Sequence, residues 1–495
     1  MKPLTFEETI AGLEGALDKP APKGSVTRIV IDSRQVEPHD LFIAIKGDRF
    51  DGHDFVGEAL TRGAQAAVVS QSYEPPLATS AGALPSDATL IRVDDTVLAM
   101  GRLARYYRRR VIHGSVTVIA VTGSNGKTTT KMMIHHVLSG RWPGKASLKS
   151  FNNEIGVPLT LLSADPGERF VICEVGTNAP GEIAALAKMV EPEIAVLTGI
   201  SEAHLERLGS IENICEEKLS LFKYLPTDGF AICNADHEAL RARVFTGRSL
   251  PDVKMLTFGF CEQADLRLTD VRVVPGEGDG ASVGLAFKVN DRFEYRLPVP
   301  GRHNAVNALA AIAVARRMGL DHDEIAERLA TFSLPAMRLQ VERFGDMTVI
   351  NDAYNANPAS LAAAVDVLVE TPASGRRVLI VGEMRELGPA SDELHIKAAE
   401  RIAGSGVDFV VTVGPSAETM TKTIEQESGD AIASVSFETT ADAKKTLASY
   451  LRADDTVLLK GSRAVGLEQL IDVLKSASSS SQPSSESSRV ARQSV

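Results

Sequence analysis

A chain of 495 residues is too long for one hydrophobic core and predicts about two to four domains. Hydrophobic residues make up 44% and charged residues 24%, both ordinary for a soluble globular protein. The net charge of -11 argues against a general nucleic-acid binder, because phosphate binding needs clustered Lys and Arg.

The opening stretch MKPLTFEETIAGLEGAL is acidic and amphipathic and lacks the basic-then-apolar order of a signal peptide. No run of about 18 apolar residues occurs, so no membrane span is predicted. Cys173, Cys215, Cys233 and Cys261 form no C-x-x-C pair and signal neither zinc nor a disulfide framework. A cytoplasmic protein without membrane contact is expected.

Apolar runs at 26–31, 41–45 and 66–69 predict strands of a small α/β domain, with a helix from about Gly52. The segment from Pro75 to Pro85, rich in Pro, Ala, Ser and Gly, reads as a surface loop. The basic stretch RYYRRR at 105–110 reads as a solvated helix face or a domain junction rather than a nucleic-acid patch. A second domain opens near Ser115, where VTVIAV at 116–121 suits a strand buried on both faces. Further apolar runs at 170–173, 194–198 and 230–233, separated by helical stretches, predict a mostly parallel sheet.

Residues 265–299 alternate around Gly276, Gly278 and Gly280 and predict antiparallel strands; a helix at 304–318 closes the domain. The third domain, from about Pro335, alternates strands at 347–351, 377–381, 409–413 and 456–459 with helices in a Rossmann-like α/β pattern. The domain limits read as 1–112, 113–333 and 334–475. From Ser476 the Ser-rich stretch SASSSSQPSSESSRVARQSV predicts a disordered tail.

The strongest signal for chemistry is Thr122-Gly123-Ser124-Asn125-Gly126-Lys127-Thr128-Thr129, between the strand at 116–121 and a helix from about Lys127. Backbone N–H groups at such a turn face anions. Lys127 supplies a point charge for β- and γ-phosphates, and Thr128 a hydroxyl for Mg²⁺. Val121 stands where the longer form of the loop carries Gly, so this is the short G-x-x-G-K-T-T form. Glu174 ends the run FVICE, where a carboxylate faces the phosphate loop and can hold Mg²⁺; alone it reads equally as a cap or surface residue. His204 follows the run at 194–198, which raises a functional role to equal standing with the structural one of a lone loop histidine.

Together these segments resemble the Mur ligase family. The short phosphate loop, Glu174, the His204 segment and GRHNAVNA at 301–308 occur in that family's order, over about residues 25–475. The narrower match is to the member that adds a dipeptide. It rests on Asp32-Ser33-Arg34 with LFIAIKGDRFDGHDF, on NNEIGVPLTLL, on NDAYNANP at 351–358, and on GEMRELG at 382–388 with KGSR at 460–463.

The resemblance implies an N-terminal domain for the UDP end of a substrate, a central P-loop ATPase domain, and a C-terminal domain that brings the amine. It implies Ser33, Arg34, Asn152 and Asn153 at the UDP substrate. Thr122 to Thr129, Asn304, Asn307, Arg338 and Asp352 fall at ATP. Helix capping is the other reading of Asn304 and Asn307. By the same resemblance Lys127, Glu174, His204 and Lys218 are catalytic. Thr128, Glu174, His204 and a carbamylated Lys218 surround Mg²⁺, although Lys218 alone reads as a helix-surface lysine.

The implied substrates are ATP, a UDP-N-acetylmuramoyl-tripeptide and D-alanyl-D-alanine, joined through an acyl phosphate by a monomeric enzyme. Two ligase rivals remain. The preceding Mur ligase uses an Asp-Asn-Pro-Arg segment that this chain lacks, and folylpolyglutamate synthetase lacks such a UDP-binding domain. A silent nucleotide-binding regulator is the rival from another class, against which Lys127, Thr128, Glu174 and His204 all argue.

Overall fold

Three main sheets form from strand sets that do not mix along the chain. The computed structural model describes residues 1–20, 22–76, 84–246, 253–276, 283–429 and 431–479. Most of the loop expected at 75–85 and the turn through Gly278 and Gly280 therefore lie outside the described residues.

In the first sheet Arg28–Val30, Asp40–Ile43, Ala66–Ser70 and Leu90–Val93 pair in parallel, and Ala16–Leu17 adds an antiparallel edge. Helix Phe6–Leu13 starts on a capping box, with the Thr5 hydroxyl accepting from Glu8 N–H and the Glu8 carboxylate from Thr5 N–H. Helix Thr96–Tyr107 runs into a π-helical turn, Arg108–Ile112, that leads to the central domain. Here the two domains share one core: Leu4, Met100, Leu103 and Tyr107 pack in one cluster with Leu161, Leu186 and Ala195. The Tyr107 hydroxyl donates to Ala164 O at 2.7 Å. Arg105, Arg108 and Arg109 form ion pairs with Glu191 and Glu193. The basic stretch is thus a domain junction.

The central sheet has nine strands. From Gly144–Ala146 it runs through Phe170–Glu174, Thr117–Thr122, Ile194–Leu197, Phe230–Asn234 and Lys254–Gly259 to Leu266–Pro275, all in parallel. Val283–Val289 and Phe293–Leu297 complete it in antiparallel fashion. The strand Thr117–Thr122 lies between two strands that come later in the chain, so the strand order reverses beside it. Such a switch point opens a crevice at the carboxyl ends of the strands. Helix Arg302–Met318 packs against helix Lys127–Leu138 through Leu309, Ile312, Met133 and Val137. A further helix, His322–Leu329, follows the one expected to close the domain.

The third sheet orders Gln340–Phe344, Met347–Asp352, Thr456–Lys460, Arg377–Gly382, Phe409–Val413 and Ala433–Phe437, parallel except at its first pair. Separate apolar clusters cover its two faces, around Leu379 and Ile350 on one and Ile380 and Val349 on the other. This is the doubly wound pattern.

The tail boundary needs correction. Helix Ile471–Ser479 passes through Ser476, and Ala477, 6% exposed, packs with Leu470, Leu474 and Met347. Ala477 stands three residues after Leu474 and extends the same apolar stripe, a signal masked by the serines around it. Residues 480–495 lie outside the described residues. Shortening the chain after Ser479 is expected to preserve turnover and Tm. Shortening it after Lys475 removes Ala477 and costs ~1 kcal/mol, visible as a lower Tm in scanning calorimetry.

Candidate active site

The carboxyl ends of the central strands and the facing edge of the C-terminal domain enclose a cleft of about 950 Å³. Its floor is the phosphate loop. Gly123 and Gly126 take φ of 150° and 79°, where L side chains are strained. A Cβ on Gly123 would stand 2.0 Å from Thr198 Oγ1, and one on Gly126 2.4 Å from Asn307 Oδ1. Only glycine lets the loop lie this close to its walls. Ser124 N–H donates to Gly199 O at 2.9 Å, tying the loop to the end of the neighbouring strand. Helix Lys127–Leu138 begins at Gly126 without a side-chain cap, which leaves first-turn N–H groups for an anion.

Lys127 Nζ donates to Gly123 O at 2.7 Å and Ser124 O at 3.2 Å, which holds its charge over the loop. Burial lowers its pKa, and Glu174 pulls the other way. Glu174 is buried at the end of its strand. Its Oε2 accepts from Thr128 Oγ1 and Lys131 Nζ, each at 3.0 Å, and its Oε1 from Asn152 Nδ2 at 3.1 Å. Hydroxyl and carboxylate oxygens side by side are donors that Mg²⁺ accepts. Among the described residues no three His, Cys, Asp or Glu side chains gather as a metal cage. Mg²⁺ needs none, since it binds through one or two carboxylates together with phosphates.

The C-terminal domain closes the opposite wall. Arg338 lies between Met337 and Leu339, both at positive φ, and its guanidinium stacks 4.3 Å over Tyr354. Its Nη2 donates to Thr128 Oγ1 at 3.0 Å. Asp352 pairs with Lys460 at 2.6 Å. Asn357 Nδ2 donates to Asn125 Oδ1 at 2.8 Å, and Asn125 Nδ2 returns a bond to Asn357 Oδ1 at 3.3 Å. His204, at φ 60°, pairs with Glu386 at 2.5 Å. That partner holds the Glu386 carboxyl below its usual range.

Three segments match family descriptions: Mur ligase family, catalytic domain, over 25–108; Mur ligase middle domain over 121–315; and Mur ligase, glutamate ligase domain, over 337–463. The chain is 33% identical over 476 residues to the UDP-N-acetylmuramoyl-tripeptide–D-alanyl-D-alanine ligase of Bacillus subtilis, covering 94% of this chain and 97% of that one.

The chain belongs to the Mur ligase family.

Among solved structures, MurF from Acinetobacter baumannii superposes with a TM-score of 0.83 at 29% identity, over 96% of this chain and 99% of that one. MurF ligase from Thermotoga maritima, in complex with ADP, superposes at 0.76 with 30% identity, over 91% and 98%.

This Mur ligase brings together most of the residues expected at the nucleotide. Ser124 to Thr129, Asn304, Asn307, Arg338 and Asp352 line the cleft. The capping reading of the two asparagines fails. Asn304 Nδ2 donates to Pro300 O, Asn307 Nδ2 donates to Asn304 Oδ1, and Asn307 Oδ1 accepts from Thr130. Neither side chain accepts from a helix N–H. The surface reading of Lys218 fails too, because it is 1% exposed in helix Ile211–Leu219. Burial holds its pKa well below the usual lysine range, and the charge of Lys127 lowers it further.

Of the four residues expected around Mg²⁺, Thr128 and Glu174 meet directly, His204 turns to Glu386, and Lys218 does not line the cleft. The residues expected at the UDP substrate fall in two places. Ser33 bonds Glu58 and Arg34 bonds Asp32, and neither lines the cleft. Asn152 and Asn153 do line it, with Asn152 on Glu174 and the Asn153 side chain accepting from Ile155 and Gly156 N–H. Sequence reasoning gave no role to Asn357, Glu386 and Lys460, although each sits in a motif it quoted. It passed over Lys131 altogether, since a lysine inside a helix carries no pattern of its own.

Proposed function

We propose that this Mur ligase uses ATP to join D-alanyl-D-alanine to the carboxylate that ends UDP-N-acetylmuramoyl-tripeptide, making a peptidoglycan precursor. The observation that carries this reading is the cleft itself. Phosphate-binding groups of the central domain face Arg338, Asp352 and Lys460 of the C-terminal domain across a single space. The name of the Bacillus subtilis relative supplies the substrates.

In the first step an oxygen of the tripeptide carboxylate attacks the γ-phosphorus, the bond to the β-phosphate oxygen breaks, and ADP leaves. Lys127 and the first-turn N–H groups align the phosphates and offset the charge that moves onto them. Thr128 and Glu174 would hold Mg²⁺, which would supply further positive charge at the phosphates. Arg338, donating to Thr128, brings a second cation from the C-terminal domain. In the second step the dipeptide amine attacks the acyl carbon, phosphate leaves, and the nitrogen gives up a proton. The Asn125–Asn357 and His204–Glu386 contacts join the two domains across the cleft, and fuller closure there would keep water from the acyl phosphate in the interval.

Ser33 and Arg34 serve the uridine end of the substrate from the first domain. We read the enzyme as a cytoplasmic monomer; one chain supplying both walls of the cleft and the use of ATP support that reading. No described helix is long and apolar enough to cross a membrane. The test is to incubate the protein with ATP, Mg²⁺, D-alanyl-D-alanine and each UDP-linked muramoyl peptide, then weigh the product. A tripeptide extended by two alanines is expected. Parallel incubations offer diaminopimelate or lysine in place of the dipeptide, and extension there instead would move the chain to the preceding step of the same family.

A further inference from the structure

Lys131 is 0% exposed, one turn past Lys127 on the helix that opens at the phosphate loop. Its Nζ lies 3.0 Å from Glu174 Oε2 and also donates to Lys149 O. The ion pair between Lys131 and Glu174 is buried on both sides, at 0% and 1% side-chain exposure. A buried ion pair is a poor source of stability, because desolvation offsets the attraction and apolar side chains of similar size serve as well. Its presence next to the nucleotide site therefore asks for a functional reason.

The hydrogen bonds supply one. A carboxylate has two acceptor positions on each oxygen. On Glu174, Oε2 takes Thr128 and Lys131, and Oε1 takes Asn152. The position left open is on Oε1. The second donor contact of Lys131 acts on the segment that carries Asn152. Lys149, whose carbonyl accepts it, stands at φ 46°, a strained conformation for a residue with a side chain. Ser150, the next residue, bonds Thr128 at 3.2 Å.

We propose that Lys131 is a positioning residue that fixes which oxygen of Glu174 is offered to the nucleotide's Mg²⁺ and holds the 147–153 segment against the phosphate loop. This rests on the reading of Glu174 as a Mg²⁺ ligand. Lys131 itself does not line the cleft.

The test uses the full chain as wild type, Lys131→Met, Glu174→Gln and the double variant. One readout is binding of a fluorescent ADP analogue across a Mg²⁺ titration, which needs no turnover. Lys131→Met is expected to raise the Mg²⁺ concentration for half-maximal binding about tenfold and to lower kcat about 100-fold. Its KM for D-alanyl-D-alanine stays near wild type. The double variant is expected to lose clearly less than the sum of the two single losses, because the lysine acts mainly through that carboxylate.

A lysine with only a structural role would lower Tm, leave the Mg²⁺ requirement unchanged and add its loss to that of Glu174→Gln; that pattern overturns the proposal. If Lys131→Met fails to fold, Lys131→Gln, which keeps a donor for the Lys149 carbonyl, takes its place in the same measurements. An unchanged Mg²⁺ requirement in Glu174→Gln would instead overturn the ligand role of Glu174, and the proposal with it.

Discussion

Lys127→Ala is expected to lower kcat by about three orders of magnitude with the fold intact. The lysine ammonium is held over the loop by Gly123 O and Ser124 O, so it is in place before phosphates arrive. Preorganisation of this kind gives a charge most of its catalytic value, since nothing has to move as the reaction proceeds. Its side chain bonds only loop carbonyls, so truncation leaves the sheet and both helix faces untouched. Phosphate release measured with both substrates present gives the rate, and scanning calorimetry gives the stability. An alanine variant with wild-type turnover would remove the phosphate-loop reading. Lys127→Arg is expected to recover little, because a planar fork does not replace a compact ammonium in a loop this closely walled.

Lys218→Ala is expected to lower turnover about 100-fold and to regain part of it with added formate or acetate. A free ammonium beside Lys127 repels Mg²⁺. Reaction of a neutral amine with CO₂ forms a carbamate and releases a proton, turning the lysine into an anion with two hard oxygens. The neutral amine is the form that burial favours at Lys218, and the neighbouring charge of Lys127 favours it further. On the reading that Lys218 is carbamylated, a small carboxylate entering the space left by alanine replaces the anion. Full activity of the alanine variant at ambient CO₂ would make Lys218 a packing residue only.

The central fold was legible because parallel strands buried on both faces read as unbroken apolar runs. Val118 to Val121, Val171 to Cys173 and Ala195 to Leu197 are all buried, and each was visible as such a run. Edge and short strands were not. Gly144–Ala146 has no apolar run at all, and Gln340–Phe344 carries charges between its apolar residues. At the site, the phosphate loop and Glu174 were legible from local order along the chain. The contacts that close the cleft were not, because Asn125 and Asn357 are 232 residues apart and neither side chain signals a partner. Lys131 was hidden for another reason. A buried charge looks, in sequence, like any solvated one.

The Asn125–Asn357 contact has a consequence for how the two domains part. The first and central domains share a continuous apolar core, whereas the third meets the phosphate loop through polar contacts. Its grip on the phosphate loop at this point is a pair of neutral amides, each donating to the other. Dissolved salt weakens attraction between exposed charges but does little to uncharged dipoles at contact distance. Such a clasp is short-ranged: it is made or lost within a fraction of an ångström, and both bonds go together. Separation of the two walls at this contact then depends on alignment rather than on ionic strength, like a catch that either seats or springs free.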